Sequence, residues 1–345
     1  MQRSVRPSTP ADAPALSALF AAAGLRPSND PRSIHWKYWQ QRDDWQGPRS
    51  WVLVSGGELV GHAAMVPGTL AWGAHRERTA HVIDWAARPG DIGAGVTLMK
   101  HVGRQVDSLL AIGGSADTLR ILPHIGFRPM GVVTGYVRPL HPSRMLHGAD
   151  IKSWKLWARF ARNMAWKAAA LASAGPAWES RPVTSDDEFR RLADVLPTPS
   201  ARMGVLGRTV DLFHYMLSCP IVPMRLYCVA SAERVRGYFL LASTPGQVRI
   251  ADCWVDSTRP TDWLAMMTAA VRQALREPKA IEAVAWASDP LLAQTLNACG
   301  FHARYQTPAQ LRAGSATAVP DVPVRIQMLD NDASYLNEGT VQLWA

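Results

Sequence analysis

The hydrophobic pattern switches period several times along the first 140 residues. Residues 3–9 (RSVRPST) predict a short strand entering a turn, and Asp12 can cap a helix over 13–23 that Gly24 ends. An aromatic cluster follows at 34–40 (IHWKYWQ). Apolar runs at 51–54 and 59–66, parted by Gly56-Gly57, predict a hairpin, and 79–87 a further strand. A glycine-rich turn at 90–95 leads into helical spacing over 96–110. Residues 109–112 begin a strand that runs into Gly113-Gly114-Ser115. Residues 117–124 predict a short helix closed by Gly126-Phe127, and 132–137 the last strand of this half.

The second half repeats this order faintly. It has a hairpin at 225–230 and 235–242, a strand at 248–255 and a helix at 263–275, then a strand at 281–287 and a helix at 291–298. Two anchors support a duplication: Arg88-Pro89-Gly90-Asp91 against Arg259-Pro260-Thr261-Asp262, and Gly126-Phe127 against Gly300-Phe301. The pattern divides the chain into 1–140, a linker at 141–180, and 181–345.

The linker stretch 153–174 (SWKLWARFARNMAWKAAALASA) carries Trp154, Trp157, Phe160, Met164 and Leu171 near helical spacing, interleaved with basic residues. It predicts a basic amphipathic helix. Either its aromatic stripe packs on the two halves, or it makes peripheral contact with an anionic membrane face.

With 345 residues, 48% apolar and 19% charged, the chain has globular composition for about two domains. No apolar run is long enough to span a membrane. Pro7, Pro10, Asp12 and Pro14 interrupt any signal-peptide core, so a cytoplasmic location is expected, with the inner membrane face as a peripheral site. Cys219, Cys228, Cys253 and Cys299 form no metal or redox spacing and read as free thiols. The net charge of +9 is uneven: +5 in residues 1–150, +4 in 151–180 and zero thereafter. That favours an anionic ligand or surface in the first half. No nucleic-acid-binding motif accompanies it, and neither nucleic acid nor a metal is expected as a partner.

The strongest local feature is Arg88-Pro89-Gly90-Asp91-Ile92-Gly93-Ala94-Gly95 between a strand and a helix. Glycines there let backbone amides face a phosphate at a helix N-terminus. It is no Walker loop, since no Gly-Lys-Ser/Thr follows. Together with the element order, the opening Val5-Arg6-Pro7, the hairpin end Glu58-Leu59-Val60-Gly61-His62 and the closing Leu122-Pro123-His124-Ile125-Gly126-Phe127, this turn resembles the GNAT superfamily of N-acetyltransferases.

The resemblance implies an α/β (α+β) fold of two GNAT-like domains, each a mixed twisted sheet flanked by helices, the second copy degenerate. It implies acetyl-CoA as co-substrate, its pyrophosphate on Arg88, Gly90, Gly93, Ala94 and Gly95 and its pantetheine along Trp85, Ala86 and Ala87. Gly90 stands where the family has Gln or Arg, and Asp91 adds a negative charge that must pair with Arg88 or point away. The second copy has no glycine at Thr261-Asp262-Trp263-Leu264-Ala265-Met266, so one acyl-CoA site is expected. The implied acceptor is a small amine or amino sugar, with bacterial polysaccharide biosynthesis as the specific setting.

Acyl transfer needs a base and an acid. The family's usual acidic Tyr is replaced by Leu122, and its usual base position by Thr79. Glu77 and His81 share the parity of Thr79, and His81, which titrates near neutral, is the first candidate base. Asp84 lies on the opposite parity unless a bulge re-aims it. Trp36, Lys37 and Tyr38 are candidates for an acceptor pocket, against the alternative of a core helix face with Lys37 at the surface. Asp330-Asn331-Asp332 reads as a polar turn, with metal or sugar binding as the alternative. The rival to an enzyme is a GNAT-like scaffold that binds a partner or a membrane.

Overall fold

The computed structural model describes residues 3–25, 30–146, 154–172, 177–232, 234–314, 320–336 and 345. In the first half, β1 (Arg3–Pro7), α1 (Ala13–Ala22), α2 (Pro31–Tyr38), β2 (Ser50–Ser55), β3 (Glu58–Trp72), β4 (His75–Ala87), α3 (Ala94–Val102), β5 (Ser108–Ile112), α4 (Ala116–Ile121) and β6 (Arg128–Pro139) follow one another. α5 (Trp154–Ala172) then leads to β7 (Glu179–Pro182), α6 (Asp186–Ala193), β8 (Gly204–Leu206), α7 (Val210–Leu217), β9 (Met224–Ser231), β10 (Arg234–Thr244), β11 (Gln247–Val255), α8 (Pro260–Leu275), β12 (Glu282–Ala287), α9 (Pro290–Ala298), β13 (His302–Ala313) and β14 (Val324–Arg325). Apart from β8 and β14, the second half repeats the order of the first.

Local chemistry explains most boundaries. Gly56 and Gly57, both at positive φ, form the tight turn between β2 and β3. Ser185 and Glu188 make a reciprocal cap on α6, and Thr209 and Asp289 cap α7 and α9. Some expectations are corrected. The helix expected over 96–110 stops at Val102, because Gly103 and the turn after it reverse the chain into β5. The C-terminal segment pairs over only two residues, Val324–Arg325, and Met328–Asp330 then coil into a 3₁₀ turn. Arg88-Pro89 lies in the turn before α3, whereas Arg259 caps α8 and Pro260 opens it, so only the Gly126 and Gly300 anchor marks equivalent places.

One sheet runs through both halves in the order β1-β2-β3-β4-β5-β13-β6-β12-β11-β10-β9-β7. The last strands of the two repeats are exchanged. β13 pairs with β5, and β6 pairs with β12. The fold is therefore mixed α/β with a continuous sheet as its middle layer. On one face, α3 packs through Leu98 over Leu109 and Phe127, and α8 with α9 packs through Met266 and Leu292 over Ala283 and Phe301. On the other, α1 and α2 cover the first half and α6 and α7 the second. Between these last two groups, Val324, Ile326 and Met328 of the C-terminal segment cover the sheet centre.

The cysteines are free, with Cys228, Cys253 and Cys299 buried. No helix among the described residues is long and apolar enough to cross a membrane.

Candidate active site

The site is organised by one irregularity in β4. His62 of β3 pairs with Ala86 and Ala64 with Ile83, so Asp84 and Trp85 together face Ala63. This bulge holds Asp84 at φ 47°, a left-handed conformation rare for a non-glycine residue. It turns Trp85 toward α3, where the indole N–H donates to the Gly95 carbonyl at 2.9 Å. It also brings the Asp84 carboxylate onto the face shared by His81, Ile83 and α2. The parity objection to Asp84 is removed by geometry.

Around Asp84 lies a buried polar cluster. Lys37 Nζ is 2.6 Å from Asp84 Oδ2, and the Tyr38 hydroxyl donates to the same oxygen at 2.7 Å. Lys37 also reaches Asp332 at 3.4 Å. Asp84 Oδ1 accepts no hydrogen bond from the described residues. Burial alone would lower the Lys37 pKa, but Asp84 and Asp332 raise it above its ordinary value. Burial alone would raise the Asp84 pKa, but the Lys37 charge holds it below the usual carboxylate range. Burial pushes Tyr38 upward, so its hydroxyl keeps its proton.

A one-way hydrogen-bond chain fixes the bulge. The Asp84 carbonyl can only accept, so His62 Nδ1–H donates to it, at 2.9 Å. His62 Nε2 must then accept from Ser50 Oγ at 2.8 Å. Ser50 in turn accepts from Ser8 at 2.6 Å, and Ser8 from the Trp39 indole at 2.9 Å. Burial lowers the His62 pKa to about 4, which keeps the ring neutral.

His81 behaves alike. Its Nδ1–H donates to the Leu110 carbonyl at 3.1 Å and Nε2 accepts from Asn331 at 2.9 Å. Burial lowers its pKa below the ordinary histidine value, which favours the neutral ring, and both nitrogens are occupied.

Beside this cluster β4 and β5 part. Their pairing covers Thr79–Ser108, Ala80–Leu109 and His81–Leu110 and goes no further. Val82 to Ala87 thus diverge from β5 toward the glycine turn. There Gly90 and Gly93 have φ of 91° and 80°, and a Cβ on either would meet open space. A Cβ on Gly95 would press on Trp85 at 3.1 Å. The Gly95 and Val96 amides, in the first turn of α3, find no acceptor among the described residues. Asp91 is neutralised as the sequence required: Arg88 Nε is 2.7 Å and Arg3 3.6 Å away. Ala86 and Ala87 lie on opposite faces, against the α1–α2 core and the α3 core.

Other expectations fall differently. Trp36 does not join Asp84. It is buried, stacked on Tyr215 at 4.6 Å and edge-on to Tyr335 at 4.9 Å. Lys37 is not at the surface but 7% exposed. Glu77 is nearly buried, and burial raises its pKa. Leu122 is buried in the α3 core, and His124 is exposed. The three polar residues 330–332 do lie in turns, at the 3₁₀ segments Met328–Asp330 and Asp332–Ser334, and their side chains face separate partners: Asp330 pairs with Arg208, Asn331 with His81, and Asp332 with Lys37. His62, Tyr335 and the Ser50–Ser8 chain were not foreseen. A histidine inside an otherwise apolar strand was the one available signal.

No protein-family model and no curated protein matches the sequence. Solved structures do match the fold. The N-myristoyltransferase of Saccharomyces cerevisiae, solved with myristoyl-CoA bound, superposes with a TM-score of 0.62 at 14% identity, over 99% of this chain and 87% of that one. A GCN5-related N-acetyltransferase of Anabaena variabilis gives 0.58 at 14%, over 90% and 73%. A probable N-acyltransferase of Enterococcus faecalis gives 0.58 at 12%, over 91% and 72%. The fold is that of the GNAT-type acyltransferases, in a tandem arrangement.

Proposed function

We propose that the protein is an acyl-CoA-dependent N-acyltransferase with one active site, in its first half. The observation that carries this reading is the position of Asp84. It is a charged carboxylate with one open oxygen, held on the β4 bulge where β4 and β5 separate and next to a glycine turn with free amides.

The acyl-CoA pyrophosphate would rest on the Gly95 and Val96 amides and the positive end of α3. The pantetheine would run along Trp85, Ala86 and Ala87. The acceptor amine forms the C–N bond as the C–S bond breaks. Its proton passes to Asp84, and coenzyme A leaves as thiolate. Protonating Asp84 would normally strand the buried Lys37 ammonium, but Asp332 remains as a second counter-ion. His81 and His62 position this machinery rather than exchange protons, since both rings are neutral and fully engaged. Leu122 offers no proton to the leaving thiolate.

We take acetyl-CoA as the specific co-substrate and a small amine or amino sugar, of the kind found in polysaccharide precursors, as acceptor. Titration calorimetry with acetyl-CoA, free CoA and myristoyl-CoA tests this. One site per chain is expected, with binding lost in Gly93→Val, which forces a β-branched residue into positive φ. Tighter binding of myristoyl-CoA than acetyl-CoA would reassign the acyl group. No binding to any of them by folded protein would overturn the enzyme reading in favour of a scaffold.

A further inference from the structure

α5 is amphipathic in the inverted sense. Its inner side is partly polar: Asn163 is fully buried, with its amide on Met145 Sδ at 3.1 Å, beside Ala170. Trp166 also turns inward and stacks on His302 at 3.8 Å. Its outer side is apolar. Trp154 is 73% exposed, Trp157 48% and Met164 44%, and Ala158, Ala161 and Ala165 are exposed among them. These positions recur at three- and four-residue intervals and so form one strip along the helix. Lys155 and Arg162 border the strip on one side and Lys167 on the other. Residues 154–172 contain no Asp or Glu.

We propose that α5 docks the protein on an anionic phospholipid surface, lying in the plane of the bilayer interface. Tryptophan rings suit that interface, and flanking basic residues meet lipid phosphates while an apolar strip enters the acyl boundary. A second copy of the chain fits less well. At 19 residues the helix is about 28 Å long, and a strip about 10 Å wide offers roughly 300 Å², against about 800 Å² per partner in a stable interface. Pairing two such faces would also bring like-charged borders together. The surface is independent of the acyl-transfer reading.

The test is flotation of the purified full-length protein with vesicles of phosphatidylcholine alone and of phosphatidylcholine mixed with phosphatidylglycerol. Binding is expected only to the mixed vesicles, weakening with added salt. Changing Trp154, Trp157 and Met164 together to Ala should reduce it more than tenfold, and Lys155→Gln or Lys167→Gln about fivefold each. All the substituted residues lie outside the core, and unchanged circular dichroism and acetyl-CoA binding would show that the variants remain folded. Absence of wild-type flotation, equal flotation of the triple variant, or a wild-type dimer that the triple variant abolishes would each overturn the proposal.

Discussion

Each half of the molecule places an aspartate at the same point of its central bulged strand, and the two have opposite fates. Gly61 pairs with Ala87 and Gly237 with Val255, and Asp84 and Asp252 each lie three residues before those partners. Asp252 is wholly buried and saturated. Arg208 grips it at 2.8 and 2.9 Å, the Tyr238 hydroxyl donates at 2.7 Å, and Gln327 donates at 2.8 Å. Arg208 also holds Asp330 at 2.7 Å. Asp84 keeps an open oxygen and a left-handed backbone, and its side chain is 12% exposed. The turns that follow differ likewise. Gly93 opens α3, whereas Pro260 and the buried Trp263 fill the start of α8. One repeat seals its aspartate within the core and the other leaves an oxygen of its aspartate open. The C-terminal segment touches both, with Asp330 on the sealed cluster and Asp332 on the open one.

The largest test of this contrast lies in the sealed half. Arg208→Ala strands two buried carboxylates and should cost about 3–5 kcal/mol in unfolding free energy, measured by urea titration. A loss below about 1 kcal/mol would deny the cluster its structural role. In the open half the balance reverses. Asp84→Asn should lower acyl-transfer turnover by about 10²- to 10⁴-fold with a modest change in melting temperature. An active Asp84→Asn enzyme would remove the carboxylate from the mechanism.

A pH experiment separates the halves next. The counterpart of His62 in the second half is Tyr238, whose pKa burial raises far out of the acid range. His62 has its pKa lowered to about 4 in the fold, against an ordinary value near 6.5 when unfolded. The unfolded chain therefore binds this proton first. The stability due to His62 is complete above about pH 6.5 and is lost as the pH falls toward 4, a loss of the order of 3 kcal/mol. Unfolding free energies of wild type and His62→Gln, measured across that window, should converge as the pH falls. Hydrogen-exchange protection, corrected for the intrinsic slowing of amide exchange in acid, should fall in β3 and β4 before β10 and β11. Curves that stay parallel would show that His62 contributes nothing there.

How far the sequence reveals these features depends on their range. The hairpin at Gly56-Gly57, the strand over 79–87 and the glycine turn are local and were legible. So was the duplication, although Arg88-Pro89 and Arg259-Pro260 turned out not to be equivalent. The exchange of β6 and β13 was not, because nothing local distinguishes pairing with one half from pairing with the other. α6 and α7 went unread despite the capping signals Ser185-Glu188 and Thr209. The cluster was legible only as fragments. Lys37, Asp84 and Asp332 each stand out in the sequence, but the contact between Lys37 and Asp332 spans 295 residues. Period-two parity set Asp84 on the wrong face, and only the bulge corrects it. The parity argument placed His81 on the right face but could not show that Leu110 and Asn331 would occupy both nitrogens.

The smallest effect concerns Asp91, the charge that seemed to oppose a phosphate. Arg88 and Arg3 neutralise it at the surface, and Glu58 draws on the same Arg88 at 2.6 Å. Asp91→Asn leaves both arginines in place and removes one negative charge beside the turn. Acyl-CoA affinity should then rise, by a few-fold at low salt, because exposed charge interactions are worth about 1 kcal/mol or less. The gain should vanish in high salt. The control is an aspartate in the first turn of α8: Asp262→Asn releases only a hydrogen bond from Ser257 at 2.6 Å and a long contact to Arg236. It should leave affinity unaltered, since no glycine turn stands beside it and Pro260 and the buried Trp263 fill the start of α8. Calorimetry on the pair at two salt concentrations decides the matter. An equal response to both changes would mean that the phosphate feels the net charge of the whole chain, and that the turn before α3 is not where it sits.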